Sequence, residues 1–265
     1  MADRIITGFH AVEEFIRSIS SKDKQKETGN GSIQIFFADP GPRVKKILSA
    51  AKAAGISCTE TNKAKLDSMV TGLSEVAREH RGLVLKLTGV SAAQENLVEL
   101  DAWLKTIPEQ ATVIILDSVT DPHNVGAILR SCDQLDVNLA ILPERRGVKD
   151  AVSNEVVSRS SAGASSWIPI ASVPNLNRAI QMLKDAGFWI YGADAGGSTI
   201  TQVKFPARTA IVMGSEGNGI SRLLQENCDE IVSIPTCGRL DSLNVSFAAG
   251  IILYEIHRQK ISCNK

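Results

Sequence analysis

Polar side chains are concentrated in three short segments, and each segment contains residue types that act on hydroxyls or phosphates. The first, DSVTDPHNVGAILR (117–130), contains Asn124 and Arg130. Their spacing is nearly two turns of a helix, so both side chains are predicted to address one site. A guanidinium binds phosphate and stabilises a developing oxyanion, and an amide hydrogen-bonds a hydroxyl. The alternative is an asparagine helix cap followed by a surface arginine.

The second segment, MGSEGNG (213–219), follows an apolar stretch and is rich in glycine. Such a backbone can wrap a ligand, and Glu216 could accept hydrogen bonds from hydroxyls or orient a basic residue. A plain tight turn is the alternative. The spacing is GxxGxG rather than GxGxxG, and no strand–helix unit with a ribose-binding acid follows. A nicotinamide-dependent oxidoreductase is therefore disfavoured.

The third segment, IPTCGRLDSLNVS (234–246), leads into a long apolar helix predicted over 242–259. Ser242 is placed to cap that helix. Asn244 and Ser246 are unusual choices inside the first turns of a core-facing helix. The pair therefore indicates polar contacts with a bound molecule.

Hydrolytic and metal-dependent chemistry finds little support in the remaining residues. The sequence contains no hydrolytic triad and no paired carboxylates, and its histidines are scattered at positions 10, 80, 123 and 257. Its five cysteines include no CxxC pair, so neither a zinc site nor a disulfide framework is expected. A reducing, cytoplasmic environment is the prediction.

Composition gives the chain a divided charge rather than a basic character. Its 29 Lys and Arg balance 29 Asp and Glu, but residues 1–90 hold 14 basic against 10 acidic side chains. A polyanion is therefore expected to contact the N-terminal part. No apolar run approaches the ~18 residues of a membrane span. The first residues also lack a signal-peptide pattern.

Hydrophobic periodicity places these segments on an α/β framework. We predict a small α/β domain over 1–90, a helix-like linker over 91–110 and a larger α/β domain over 111–265. In the larger domain, apolar strands without alternation are each followed by a helix, which predicts a parallel sheet covered on both faces. Ligands bind such sheets beyond the carboxyl ends of the strands, here the loops predicted at 117–126, 192–198, 214–219 and 235–244.

In order along the chain, NVGAILR (124–130), IVMGSEGNGIS (211–221) and IPTCGRLDSLNVSFAAGIILYE (234–255) resemble the three motifs of the SpoU, or TrmH, family of RNA 2′-O-ribose methyltransferases. The three motifs in this order are far more specific than any one alone, and the resemblance covers residues 112–258. A shorter resemblance, in ITGFHAVEEFI (5–15) and EHRGLVL (79–85), is to the substrate-binding domain of bacterial members that methylate a guanosine of 23S ribosomal RNA.

The resemblance implies S-adenosylmethionine as methyl donor, no metal, and a SPOUT-type parallel sheet whose C-terminal segment forms a trefoil knot. It also implies a homodimer in which the partner chain completes each site. Carried onto this sequence, the implied catalytic residues are Asn124, Arg130, Glu216, Ser242 and Asn244. The implied cofactor-binding positions are Gly214, Ile234 and Leu243.

Chemistry is consistent with this assignment, because a ribose 2′-hydroxyl is a poor nucleophile that must lose its proton as it attacks the methyl group. A guanidinium is effectively always protonated, so Arg130 is expected to activate the hydroxyl while the final proton acceptor stays open. The separate N-terminal domain favours ribosomal RNA, either free or within an assembling subunit, over transfer RNA. A non-catalytic RNA-binding protein is the weaker alternative, since Arg130 and Glu216 are both present.

Overall fold

The protein contains two α/β units, each built on its own sheet. This computed structural model describes residues 4–21, 32–73, 78–88, 96–148, 150–152, 154–215, 217–239 and 242–263. The elements of the first unit are β1 (Arg4–Thr7), α1 (Phe9–Ser21), β2 (Ser32–Phe37), α2 (Pro42–Ala53), β3 (Ser57–Glu60), α3 (Lys63–Val70) and β4 (Leu83–Thr88).

The small sheet has the order β1-β4-β2-β3, with β4 antiparallel to both neighbours and β3 parallel to β2. Side-chain alternation along β4 directs Leu83, Leu85 and Leu87 towards the core beneath α1 and α2. Val84 faces the opposite way and packs with Leu66 of α3. The α/β organisation expected for this unit is confirmed, and α2 and α3 cover opposite faces of the sheet.

The second unit has six strands, all parallel, in the order β10-β8-β9-β5-β6-β7. Its strands carry long apolar runs because helices cover both faces, as predicted, and all six residues of β5 are buried. Its elements are α4 (Leu100–Leu104), β5 (Ala111–Leu116), α5 (Pro122–Gln134), β6 (Leu139–Pro143), α6 (Glu155–Ser160), β7 (Ile170–Val173), α7 (Leu176–Asp185), β8 (Trp189–Thr199), β9 (Arg208–Met213), α8 (Arg222–Glu226), β10 (Glu230–Ser233) and α9 (Val245–Cys263).

The helix-like bridge predicted over 91–110 is wrong for its described part, which contains only the five-residue α4. Residues 96–98 instead extend the edge of the large sheet, where Val98 N–H donates to the Ile170 carbonyl (2.9 Å). The Asn96 amide, buried in this edge, donates to the Ser165 and Ile168 carbonyls (2.8 and 2.9 Å). Residues 96–98 therefore pair with the backbone of β7 instead of forming the predicted helix. Residues 89–95 lie outside the described residues, and the domain division stays a prediction.

Two further predictions need correction. The apolar stretch 167–170 favours a strand, but β7 begins only at Ile170, because Trp167 closes a turn with Ala164 and its indole N–H donates to Asp133 of α5 (2.6 Å). The loop predicted over 192–198 is part of β8. There Ile231 pairs with Gly192 and Val232 with Ser198, so residues 193–197 bulge from the ladder. Gly197 permits this path, because a Cβ there would lie 2.3 Å from the Ile231 carbonyl oxygen.

The trefoil knot stays a prediction, and residues 240–241 of its C-terminal segment lie outside those that the structure describes. Contact between the two units runs through α1 and α6. Next to α6, a Cβ on Gly163 would lie 3.0 Å from Cβ of Glu14 in α1. Within the described parts of the chain, no helix combines the length and apolarity needed to cross a membrane.

Lys260 gives the fold a testable pH dependence. Its Nζ, half-buried near the end of α9, donates to Thr112 Oγ1 of β5 (2.7 Å). Burial lowers the pKa of Lys260 from 10.5 to about 8, although Asp136 acts in the opposite direction. The folded-state pKa lies below the unfolded value, so between these pH values the unfolded chain binds more protons. Stability contributed by this group therefore rises with pH across that window.

Thermal unfolding of the wild type and of Lys260→Met, followed from about pH 8 towards 10.5, tests this dependence. The wild type should gain stability relative to the variant as the pH rises, because the variant lacks the titrating group. Lys105→Met, which alters an exposed lysine, is the matched control and should show no such trend. If the stability difference between the wild type and Lys260→Met stays the same across this pH range, the burial argument is contradicted.

Candidate functional site

The carboxyl ends of β5, β9 and β10 open onto the same edge of the large sheet, because all its strands are parallel. The segments that follow these strands are the three polar segments of the sequence. β9 lies directly beside β5, and β8 separates it from β10. The sheet therefore brings together three segments that are far apart in the chain.

Asp117 links the first segment to the second. Its buried carboxylate accepts a hydrogen bond from the Ser221 backbone N–H at Oδ2 (2.7 Å) and from the Ser118 hydroxyl at Oδ1 (3.1 Å). The bond to Ser221 fixes the end of the glycine-rich loop against the end of β5. Sequence reasoning gave Asp117 no role, although an acid that directly follows a wholly apolar strand was an available signal.

Helix α5 begins earlier than its polar pattern indicates, so the predicted capping role of Asn124 is wrong. Asp121 is the cap, and its Oδ1 accepts from the His123 N–H (2.9 Å). Pro122 then occupies the first helical position, where a missing N–H costs nothing. Asn124 lies within the first turn, and its Oδ1 accepts from Asn244 Nδ2 (3.0 Å).

Asn244 caps α9, which begins at Val245, and the predicted cap at Ser242 is wrong. The Asn244 Oδ1 accepts from the Ser246 N–H (3.0 Å) and the Ser246 hydroxyl (2.6 Å). Part of the polar character that was ascribed to a bound molecule is therefore helix capping. The same side chain donates to Asn124, so it joins the first segment to the third.

Helices α5 and α9 pack side by side with their N-termini at this edge. Gly250 of α9 lies next to Ser131 of α5, since a Cβ on Gly250 would be 3.6 Å from the Ser131 hydroxyl. The preceding residue, Arg130, is exposed. Its guanidinium forms no ion pair with any part of the chain that the structure describes, so it is accessible to an anionic ligand.

Gly126 is required by packing rather than by a ligand. A Cβ there would lie 1.9 Å from Ser160 Oγ and 2.8 Å from the Val157 carbonyl oxygen, both in α6. Helix α5 therefore rests closely on α6. This contact helps to fix the position of the first turn of α5, which contains Asn124, relative to the sheet.

The glycine-rich segment forms a tight turn, as one of the two interpretations predicted. Ser215 and Gly219 exchange two backbone hydrogen bonds (3.1 and 3.0 Å). Gly217 and Gly219 have φ of 88° and 63°, a region that favours glycine. Gly214 lies against the returning strand, where a Cβ would be 2.1 Å from the Gly219 carbonyl carbon. Glu216, which comes between Ser215 and Gly217 in the sequence, lies outside the described residues.

The third segment carries the other predicted positions along one loop. Ile234 is half-buried against the core, whereas Ser242 is exposed and Leu243 exposes 39% of its surface. Apolar side chains beside exposed backbone suit a flat, uncharged ring. Among the described residues there is no cluster of His, Cys, Asp or Glu that could hold a metal ion.

Two family models match the chain, and together they span most of it. The model of the SpoU rRNA methylase family matches residues 111–254. A second model, described as RNA 2′-O ribose methyltransferase substrate binding, matches residues 5–88. The first match contains all three polar segments, and the second coincides with the small sheet and its helices.

Named relatives extend over the full length of the chain. The 23S rRNA (guanosine-2′-O-)-methyltransferase RlmB of Yersinia pestis is 35% identical over 97% of both chains. The enzyme of the same name from Neisseria meningitidis is 35% identical over 99% of this chain and 98% of its own. An uncharacterized tRNA/rRNA methyltransferase of Borreliella burgdorferi is 36% identical over 86% of this chain and 98% of its own.

Solved structures show the same fold at lower identity. The SpoU methyltransferase AviRb from Streptomyces viridochromogenes, in complex with AdoMet, has a TM-score of 0.71 at 21% identity, covering 98% of this chain and 91% of its own. An AdoMet-bound rRNA methyltransferase from Sinorhizobium meliloti has a TM-score of 0.67 at 24% identity, covering 97% and 87%. With a family model over more than half of its length and relatives above 30% identity along nearly all of it, the chain belongs to the SpoU rRNA methylase family.

Proposed function

We propose that this protein transfers a methyl group from S-adenosylmethionine to a ribose 2′-hydroxyl of RNA, on a guanosine of 23S ribosomal RNA. The observation that carries the proposal is the Asn244–Asn124 hydrogen bond, which joins the first and third segments, with Arg130 exposed six residues further along the first segment. Relatives named as 23S rRNA guanosine-2′-O-methyltransferases share about 35% of their residues with this chain over its full length, which supports the substrate.

The edge of the large sheet fits the methyl donor. Gly214 lets the backbone of the glycine-rich turn fold directly onto Gly219 at the end of β9, and Ile234 and Leu243 offer apolar surface to an adenine. These three positions would hold S-adenosylmethionine, which supplies a methyl group on a positively charged sulfur when bound. An uncharged apolar cradle suits adenine, and it needs no basic residue in the cofactor loop.

Each polar residue then has a separate task. The ribose 2′-oxygen would form the new bond to the methyl carbon as the carbon–sulfur bond breaks, S-adenosylhomocysteine would leave, and the hydroxyl proton would be released to solvent. Arg130 would bind the adjacent phosphate and stabilise the developing alkoxide. Asn124 and Glu216 would orient Arg130 and the ribose, while Ser242 and Asn244 hold the third segment against the substrate. Orientation of this kind can contribute up to ~7–11 kcal/mol in well-aligned cases.

The small unit would hold the RNA, and its separate fold is why ribosomal RNA is favoured over transfer RNA. The domain boundaries follow this division of labour, with a substrate-binding domain over 1–90, a linker over 91–110 and a catalytic domain over 111–265. A ribosomal substrate, free or in an assembling subunit, would place the protein in the cytoplasm.

Methyl transfer from labelled S-adenosylmethionine to unmodified bulk RNA is the direct test, with nucleoside mass spectrometry of the product. We expect 2′-O-methylguanosine in 23S RNA, and a loss of roughly 10²-fold or more in the Arg130→Ala variant, since activation of the hydroxyl is removed. The variant should still bind S-adenosylmethionine by calorimetry.

Other outcomes of this assay are equally informative. A product in transfer RNA would keep the chemistry and overturn the substrate. Transfer only to an assembling subunit would identify that particle as the substrate. A wild-type protein that binds no S-adenosylmethionine would overturn the proposed function.

The double role of Asn244 can be separated by two substitutions. Serine caps helices about as well as asparagine but lacks the amide that donates to Asn124, and alanine removes both functions. The free energy of unfolding of Asn244→Ser should therefore lie within a few tenths of a kcal/mol of the wild-type value, and that of Asn244→Ala should be about 1 kcal/mol lower. Both should lose methyl transfer by tenfold or more, because small misplacements at a reacting centre can cost ~10²-fold.

Chemical denaturation and single-turnover transfer assays measure the two effects independently. Full transfer activity in Asn244→Ser would show that capping is the whole role of this residue. The link between the first and third segments would then be unnecessary for catalysis.

A second copy of the chain is the proposed partner of α9. Phe247, Ile251 and Tyr254 recur at helical spacing on one face of this helix and expose 71%, 39% and 58% of their surfaces. Large apolar side chains aligned on one helix face are typical of a protein interface. The face begins three residues after Asn244, so a partner seated on it would lie beside the site and could complete it.

The dimer is tested by Phe247→Glu combined with Tyr254→Glu in analytical ultracentrifugation. Two buried carboxylates would be costly to desolvate, so we expect a folded monomer without transfer activity. Leu223→Glu is the matched control, because Leu223 is also exposed (64%) but lies in α8, and it should leave the dimer intact. A wild-type protein that sediments as a monomer at micromolar concentration would rule out this interface.

A further inference from the structure

Helix α2 of the small unit carries the basic surface that the balanced overall charge conceals. Its sequence, PRVKKILSAAKA, contains four cations and no acidic residue. We infer that the exposed face of α2, defined by Lys45, Lys46 and Lys52, binds the ribose-phosphate backbone of the RNA substrate. The inference rests on the proposed function, because it takes RNA as the substrate and identifies the surface that holds it.

The division of α2 into two faces is complete. Val44, Ile47, Leu48 and Ala51 are buried against α1 and the small sheet. Lys45 and Lys52 lie seven residues apart on the opposite side and are exposed, with the small Ser49 between them. Two turns of helix separate these lysines by about 10 Å. A nucleic-acid duplex carries a charge about every 1.7 Å of its axis, so the face could contact several phosphates.

Several exposed cations of the protein are paired with acidic side chains, whereas these three lysines are not paired with any residue that the structure describes. Arg43, at the start of the same helix, pairs with Glu13 of α1 (3.1 Å), and Arg222 pairs with Glu226 within α8 (2.8 Å). Lys45, Lys46 and Lys52 form no ion pair within the described ranges of the chain. Their charge is therefore not neutralised by the protein itself.

The position of Lys45 and Lys46 is also unfavourable to the helix, which points to an external anion, whereas Lys52 lies in the last turn, where a cation is favourable. Pro42 opens α2, Gly41 provides no side-chain cap and the first turn of the helix contains no acidic residue, so the helix itself does not compensate the positive end of its dipole. Lys45 and Lys46 follow within the next turn and add like charge. A bound phosphate chain would relieve both effects, and the small unit, with its excess of basic residues, is where RNA is expected.

The salt dependence of RNA binding tests this surface. Log affinity falls with log salt concentration by about 0.7–0.9 for each neutralised phosphate. Lys45→Ala combined with Lys52→Ala should therefore reduce the salt slope of binding to 23S RNA fragments by about 1.4–1.8. Affinity at ~0.15 M salt should fall on the order of tenfold or more. Fluorescence titration of the protein with RNA, at salt concentrations between roughly 50 and 300 mM, measures both the salt slope and the affinity.

A matched double variant controls for general loss of charge. Lys63→Ala combined with Lys65→Ala removes two exposed lysines from α3, which covers the other face of the small sheet. It should keep the wild-type slope, and Lys45→Arg combined with Lys52→Arg should also keep it, because both charges remain. Thermal melting and S-adenosylmethionine binding confirm that each variant is folded.

Failure of this inference is distinguishable from failure of the proposed function. The inference would be overturned if the α2 alanine variant had the wild-type salt slope, or if the α2 and α3 variants lost RNA affinity equally. Methyl transfer by the wild type would persist in either case. Absence of both cofactor binding and methyl transfer in the wild type would instead overturn the proposed function.

Discussion

The parallel direction of all six strands in the large sheet is the constraint on which the site depends. Parallel strands end at a common edge, so segments that are a hundred residues apart become neighbours without any local sequence signal. The order β10-β8-β9-β5 places the first two polar segments on adjacent strands and the third two strands further along. Distant side chains then have to lock the three loops together.

Two hydrogen bonds provide that lock, and both originate from short polar side chains. Asp117 accepts from the backbone of Ser221, 104 residues away, and Asn244 donates to Asn124, 120 residues away. Bonds of this kind cost little side-chain entropy, because aspartate and asparagine have few rotatable bonds. Asp117 is also buried, so breaking its bond would leave a carboxylate without compensation for its lost hydration. The geometry of the site is thus part of the stability of the fold.

Much of this arrangement could be predicted from the sequence, because apolar periodicity is a local property. Most strands and helices of both units are close to where the pattern indicates, although β7 begins later than expected and β8 extends through a predicted loop. The segment before β5 could not be predicted, since residues 96–98 pair with the edge of β7 rather than forming a helix. Helix starts were misplaced for a related reason. Asn124 and Ser242 are good caps in isolation, but Asp121 and Asn244 occupy the positions that the chain path makes available.

Site residues were recognisable as polar outliers, but their partners were not. Gly126 illustrates the difference, because glycine is required there by the close approach of α6, which no pattern near position 126 reveals.

The distribution of charge is subject to the same limit. Summed over the chain, 29 positive and 29 negative side chains cancel. Only the fold separates the unpaired lysines of α2 from the apolar face of α9. An electrostatic surface for a polyanion and an apolar surface for a second chain are physically incompatible in one patch, since each would desolvate the other's groups at a cost. Their placement on separate units lets both operate, while the site at the edge of the large sheet needs neither a strong field nor a large apolar area.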